Sequence, residues 1–307
     1  MRVLITDSEL GDGSLEREVL DGIGADLTIR DCRTEADVIA AVKEIDPHGL
    51  IAQWAPISAA VMAAAPSLRV ISRYGVGVDT IDLNAAGRRG IAVRSVPHYC
   101  TEEVATHAVA LGLSAWRRIC ELDRYVRAGN WDSRVWAQKI TRMSDATIGI
   151  VGMGRIPQLV APVYRAIGAT VIFADPIVDS TEYERVSLDE IWRRSDLISL
   201  HAPLSEGTRH LINERSLSQM SRRPHIVNTS RGGLIDEAAI VDALASGSVA
   251  TVSLDVFEHE PLPMTSALRD QPNVILSPHA SWCSSQSIIE LQRLAAQNIV
   301  DVLGASA

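Results

Sequence analysis

The chain has 307 residues, 47% of them hydrophobic, with 29 Lys and Arg against 38 Asp and Glu, for a net charge of -9. That acidic balance leaves no basic field for nucleic acid or an anionic membrane surface, and the lysines are confined to Lys43 and Lys139. The four cysteines (Cys32, Cys100, Cys120, Cys283) lie far apart without a C-x-x-C pair, which argues against a metal site or a disulfide framework and for reduced thiols in the cytoplasm.

The opening MRVLITD has an apolar run too short for a secretory leader and reads as a first strand. After it, GLIA, RVIS and IAVRS are short apolar runs bounded by turn residues and separated by helical stretches, the pattern of βαβ units around a parallel sheet. Thr101 to Gly129 follows as one helix, with Thr101 as its cap, Glu102 and Glu103 in its first turn, and Val104, Ala108, Leu111 and Ala115 on a core face. His107 and the arginines at 117 and 118 keep this stretch from being a membrane span. A second series of strands then runs TIGIVG, TVIFAD, DLISLHAP, HIVNTS, ATVSLDV and NVILSPH. The last helix, from about Ser284 to Leu303, is placed to return to the first domain. The expected fold class is therefore α/β, with two Rossmann-like or flavodoxin-like parallel-sheet domains and a cleft between them. The first comprises residues 1–100 plus 284–307, the second residues 101–283.

GMGRIP directly follows the strand TIGIV and opens a helix, and Asp175 ends the next strand about twenty residues on. Gly152 permits the tight turn, Gly154 lets the backbone approach a pyrophosphate, Arg155 and Ile156 complete the loop, and the helix N-terminus offers N–H groups to phosphate. Asp175 favours ribose hydroxyls over a 2′-phosphate, so the cofactor predicted is NAD. Pro157 stands where the fingerprint has its third glycine. The second domain is accordingly the NAD-binding one and the first the substrate, or catalytic, one.

Three further strands end in residues that chemistry can use: Arg231 in NTSRGG, Asp255 and Glu260 in LDVFEHEP, and His279 with Trp282 in SPHASW. Ligands in open parallel sheets sit outside the carboxyl ends of the strands, so these loops share one edge. A guanidinium holds a carboxylate and polarises the adjacent carbonyl, a histidine exchanges the hydroxyl proton, and a carboxylate behind it fixes its tautomer. This is the set needed to reduce a 2-oxo acid with NADH. His201 and His259 compete for the acid/base role on sequence alone. Trp54 and Trp282 are candidates to meet an apolar substrate side chain.

RYGVGVDTIDL, EEVATHAVAL, GNWD, GMGRIP, SLHAPLSEGTRHLIN, VNTSRGGLIDE, SLDVFEHEP and SPHASW, in this order, resemble the D-isomer-specific 2-hydroxyacid dehydrogenases over nearly the whole chain. The resemblance implies substrate binding and polarisation by Arg231, acid/base work by His279, and Glu260 as its partner. It also implies that the Val76 and Gly77 N–H groups, with Arg73 ahead of them, take the substrate carboxylate, and that Asp255 anchors the nicotinamide amide. Ala202, Pro203, Thr208, Thr229 and Ser230 would line the cofactor, and the long helix with the loop after it would form a homodimer interface. HASW and Arg73 look most like the C-terminal-binding-protein branch, whose corepressor members supply the alternative expectation, an NAD(H)-responsive peptide-binding scaffold. Thr106, where an acidic residue is common, departs from the family pattern.

Overall fold

A computed structural model describes residues 1–179 and 182–305, which divide into two units: residues 1–100 with 283–305, and the described residues of 101–282. Among the described residues no helix is long and apolar enough to cross a membrane.

The first unit alternates β1 (Arg2–Ile5), α1 (Ser14–Leu20), β2 (Asp26–Ile29), α2 (Glu35–Ile45), β3 (Gly49–Ala52), α3 (Ala59–Ala63), β4 (Val70–Arg73), α4 (Leu83–Arg88) and β5 (Ala92–Arg94). Its strands pair in parallel in the order β2-β1-β3-β4-β5. Leu4, Leu50 and Ile71 are buried with Val38, Val42 and Met62 of the helices on one face. β2 is absent from the strands read in the sequence: it is an edge strand, with no fully buried residue, so DLTI lacks the apolar run that marks the inner strands.

The second unit begins with α5 (Thr101–Trp116) and α6 (Ile119–Arg127), followed by β6 (Thr147–Val151), α7 (Pro157–Ala166), β7 (Thr170–Ala174), β8 (Glu184–Arg185), α8 (Leu188–Arg194), β9 (Leu197–Leu200), α9 (Glu214–Ser218), β10 (His225–Asn228), α10 (Glu237–Ser246), β11 (Thr251–Leu254) and β12 (Val274–Leu276). The strands are all parallel, in the order β12-β11-β10-β9-β6-β7-β8. The order reverses between β6 and β9, the crevice position at which such sheets bind ligands. Successive strand residues alternate between two cores, as the two-residue period requires. Ile148, Ile150, Phe173 and Val227 lie with α5 and α7, and Ile172, Ile198, Ile226 and Val252 with α8 and α10.

The single helix expected over Thr101–Gly129 is instead two. Arg118 takes a left-handed backbone (φ 57°) between them. Its guanidinium pairs with Glu121 at 2.8 Å and donates to the Ala250 carbonyl, while the buried Trp116 indole donates to the Thr141 carbonyl. Tertiary hydrogen bonds thus fix a turn that local periodicity does not announce. Thr106, on α5, returns its hydroxyl to the Glu102 carbonyl at 2.9 Å, so its polarity is satisfied within the helix.

The last helix, α11 (Ser285–Gly304), belongs to the first unit, capped by Ser284, whose side chain accepts from Ser287 N. Leu291, Ala295, Ala296, Ile299 and Leu303 form its buried stripe. Two polar clasps add direction: Gln292 donates to the buried Glu16 carboxylate, and Asn298 to Ser72 Oγ and the Ser95 carbonyl.

Candidate active site

The turn after β6 is built on Gly152, whose φ of 90° and approach to the His201 backbone, 2.9 Å from where a Cβ would stand, admit no side chain. Gly152 N–H donates to the Ala174 carbonyl and Met153 N–H to Asp175 Oδ2, each at 2.8 Å, so the loop is tied to the end of β7. Gly154, by contrast, faces open space: nothing lies within 4 Å of the position its Cβ would take. Arg155 is exposed, and Ile156 leads into α7. Pro157 is the first residue of α7, where a missing N–H is tolerated, and the Met153 carbonyl it leaves unaddressed receives Gln158 Nε2 at 3.4 Å.

Asp175 Oδ1 accepts from the N–H groups of Ile177 and Val178. Burial pushes this carboxyl up, but the bonds from Val178, Ile177 and Met153 outweigh it and hold it below the usual range, so it is ionised. The sequence shows Pro176 and no arginine beside it, yet Arg185 reaches this turn from β8 and donates to the carbonyls of Asp175 and Pro176 while pairing with Asp179. On the other side of β6, the loop after β9 places Ala202 in the core and Pro203 at the surface, with the Thr208 hydroxyl donating to the Pro203 carbonyl at 2.6 Å. Ser230 Oγ donates to the Leu200 carbonyl, and the buried Thr229 hydroxyl has no partner among the described residues. An open glycine at a helix N-terminus, an orphaned hydroxyl and an ionised acid at the end of β7 fit a dinucleotide.

Arg231 follows β10 in an extended conformation, and its Nη1 donates to the Ser230 carbonyl at 2.7 Å. Asn228, buried at the end of β10, clamps this turn by donating to the Arg231 carbonyl and accepting from Ser230 N–H. The sequence reading passed over Asn228, though NTSRGG contains it. Gly232 then packs on the Phe257–Glu258 peptide so closely that a Cβ would lie 1.8 Å from Phe257 C. The Arg231 turn and the loop bearing Glu260 are therefore in backbone contact.

Glu260 Oε1 accepts from Phe257 N–H at 2.9 Å, and Oε2 meets His279 Nδ1 at 2.6 Å, the two side chains being 30% and 24% exposed. His279 has φ of 53°, a left-handed conformation that costs a non-glycine residue about 1–2 kcal/mol. Its N–H donates to the Asp255 carbonyl at 2.8 Å, which secures it there. Asp255 is fully buried and accepts from Ser277 Oγ (2.6 Å), Ala280 N (2.9 Å) and Ser281 N (2.9 Å). Burial raises its carboxyl, and the bonds from Ser277, Ser281 and Ala280 more than reverse this. Its observed work is thus to hold the His279 loop. Of the competing histidines, His201 is pulled by burial down to about 4 and bonds Ser199, so it is neutral and unsuited to proton transfer near neutral pH; His259 is exposed.

The remaining candidates, Trp282 apart, lie on the first unit, at the carboxyl ends of β3 and β4. The Asp7 carboxylate accepts from the N–H groups of Gln53, Trp54 and Ala55 and so fixes the turn after β3. Trp54 is 40% exposed, with the Arg73 guanidinium 5.4 Å from its ring centroid. Arg73 also covers Gly75, and Val76 and Gly77 follow with Val76 exposed. Trp282 is half-buried at the end of the second unit.

Residues 109–281 match the family described as D-isomer specific 2-hydroxyacid dehydrogenase, NAD binding domain. A glyoxylate reductase of Korarchaeum cryptofilum (strain OPF8) is 40% identical over 253 residues, covering 80% of this chain and 76% of its own. A D-3-phosphoglycerate dehydrogenase of Mycobacterium leprae (strain TN) is 37% identical over 292 residues, 93% of this chain and 53% of that one. Among solved structures, D-lactate dehydrogenase from Aquifex aeolicus complexed with NAD and lactic acid superposes with a TM-score of 0.86 at 27% identity, covering 98% of this chain and 96% of its own. The family match and these relatives, together with the parallel sheets and the dinucleotide site, define an NAD-dependent oxidoreductase acting on CH–OH donors. The chain belongs to the D-isomer specific 2-hydroxyacid dehydrogenase family.

Proposed function

We propose that this chain reduces 2-oxo acids to D-2-hydroxy acids in the cytoplasm, with Arg231, Glu260 and His279 as its catalytic residues. The 2.6 Å contact between His279 Nδ1 and Glu260 Oε2 carries the reading. A carboxylate on Nδ1 fixes the tautomer and makes Nε2 the atom that delivers the proton. NADH, when bound, supplies the hydride to C2. Arg231 holds the substrate carboxylate and polarises the 2-oxo group, so that the carbonyl electron pair moves onto an oxygen already facing a cation. That oxygen takes its proton from the His279 imidazolium, whose charge Glu260 balances. Asp255, its carboxylate fully buried on the His279 loop, keeps His279 in place, while Gly152, Gly154, Arg155, Ile156, Ala202, Pro203, Thr208, Thr229 and Ser230 would seat the cofactor. Residues 1–100 with 284–307 form the substrate domain, and Arg73 with the Val76 and Gly77 N–H groups are its substrate-binding residues.

Asp175 sets the coenzyme preference, since an ionised carboxylate repels a 2′-phosphate. kcat/KM with NADH is expected to exceed that with NADPH by tenfold or more (about 1.4 kcal/mol), and Asp175→Ala to narrow the ratio. Equal use of both by the native enzyme would show that Arg185 governs this position.

By sequence, Arg73 and HASW ally the chain with the C-terminal-binding-protein branch, whereas the relatives above carry enzyme names, which favours catalysis over a scaffold role. We read the enzyme as a homodimer: Ile119, Val126, Trp131 (88%) and Val135 are all exposed along α6 and the segment after it, the face the family resemblance assigns to the interface. For the substrate, the exposed indole of Trp54, with Trp282 three residues after His279, favours an apolar side chain. Steady-state NADH oxidation over glyoxylate, pyruvate, longer apolar 2-oxo acids and 3-phosphohydroxypyruvate tests this. The apolar acids are expected to lead, and a clear preference for the phosphorylated one would refute the apolar pocket.

A further inference from the structure

His107 lies on α5, far in sequence from the loops that bear the proposed catalytic residues. Its Nε2 stands 3.1 Å from Ser277 Oγ and 3.8 Å from Asp255 Oδ1. Ser277 Oγ is in turn 2.6 Å from Asp255 Oδ1. The direction of these bonds follows from chemistry. An ionised carboxylate only accepts, so the single Ser277 proton points to Asp255, and the hydroxyl must accept from His107 Nε2–H. The chain therefore runs one way, from His107 through Ser277 to Asp255, and fixes the His107 tautomer.

Asp255 grips the His279 loop at four places. Its carboxylate takes Ser277 Oγ, Ala280 N and Ser281 N, and its carbonyl takes His279 N. The residue in the middle of that grip is the one with the left-handed backbone. Loss of the Ser277 bond frees one end of the loop, and loss of His107 leaves the Ser277 hydroxyl without its donor, free to rotate away from Asp255.

We infer that His107 and Ser277 are positioning residues that act through Asp255 to hold His279 Nδ1 on Glu260. The inference rests on the catalytic reading above only for its consequence in turnover; the geometry it predicts is measurable without substrate.

The test uses the full chain with His107→Leu, His107→Gln and Ser277→Ala. A hydrogen-bonded imidazole Nδ1–H gives a downfield proton resonance, here assigned by its absence in Glu260→Gln. That resonance is expected to move upfield or broaden in His107→Leu and Ser277→Ala, and to persist in His107→Gln, whose amide still donates to Ser277. kcat for 2-oxo acid reduction is expected to fall roughly tenfold in the first two variants, with NADH affinity unchanged and recovery in the glutamine variant, the size usual when the support of a functional residue is removed. An unmoved resonance in His107→Leu and Ser277→Ala, or a glutamine variant no better than leucine, overturns the inference, as does a lowered Tm with resonance and kcat intact, which marks a purely structural role. Absence of turnover in the native enzyme would fail the catalytic reading alone, because the resonance still decides the positioning.

Discussion

His279→Ala is expected to lower kcat for 2-oxo acid reduction about a thousandfold while NADH binds as in the native enzyme. The imidazole is the proton donor to the developing alkoxide, and positioned acid/base groups of this kind contribute about a hundred- to ten-thousandfold. Its backbone is held by Asp255 through main-chain atoms, so removing the ring leaves the loop anchored. Arg231→Ala is expected to be at least as severe, because one guanidinium both binds the carboxylate and faces the oxygen. Removing a donor to a developing oxyanion alone costs about a hundred- to a thousandfold, and lost substrate binding adds a raised KM. Arg231→Lys restores little, since a point charge does not replace a planar two-pronged donor. Single-turnover kinetics with NADH fluorescence separates these effects from cofactor binding, and weakened NADH binding in either variant would assign the residue to the cofactor instead.

Gly232→Ala is the second large effect. The added methyl would meet Phe257 C at 1.8 Å, Phe257 O at 2.0 Å and Glu258 N at 2.4 Å, all backbone atoms that no rotamer change can clear. The two loops must separate, and Glu260 travels with the second. Such overpacking costs about 3 kcal/mol or more, which for a unit of this size lowers Tm by on the order of 10 °C. Activity should fall with it. Gly233→Ala is the control: its Cβ meets the ends of two side chains, Leu204 at 3.1 Å and 3.2 Å and Arg209 at 3.6 Å, both of which can shift. Thermal unfolding of the pair is expected to show a large loss at 232 and a small one at 233, and equal losses would contradict the contact.

The contrast between 232 and 233 also marks where sequence reading stops. Both strand series were legible because buried parallel strands are continuous apolar runs between turn residues, as in TIGIV and LISL. Arg231, Glu260 and His279 are legible because each lies in the loop that follows such a strand. β2 escaped because an edge strand needs no such run, and the break at Arg118 escaped because its carbonyl partner, Ala250, lies 132 residues away. The same holds for the site. That Gly232 abuts Phe257, that Arg185 folds back onto the Asp175 turn, and that Asp255 spends its carboxylate on the His279 loop are contacts between distant segments, and no local pattern encodes them.

The most direct measurement is the configuration of the product. With stoichiometric NADH and a 2-oxo acid, chiral chromatography should find NADH consumed one for one with the D-2-hydroxy acid, and both consumption and product formation slowed about a thousandfold with His279→Ala. Formation of the L enantiomer, or undiminished turnover in that variant, would contradict the account.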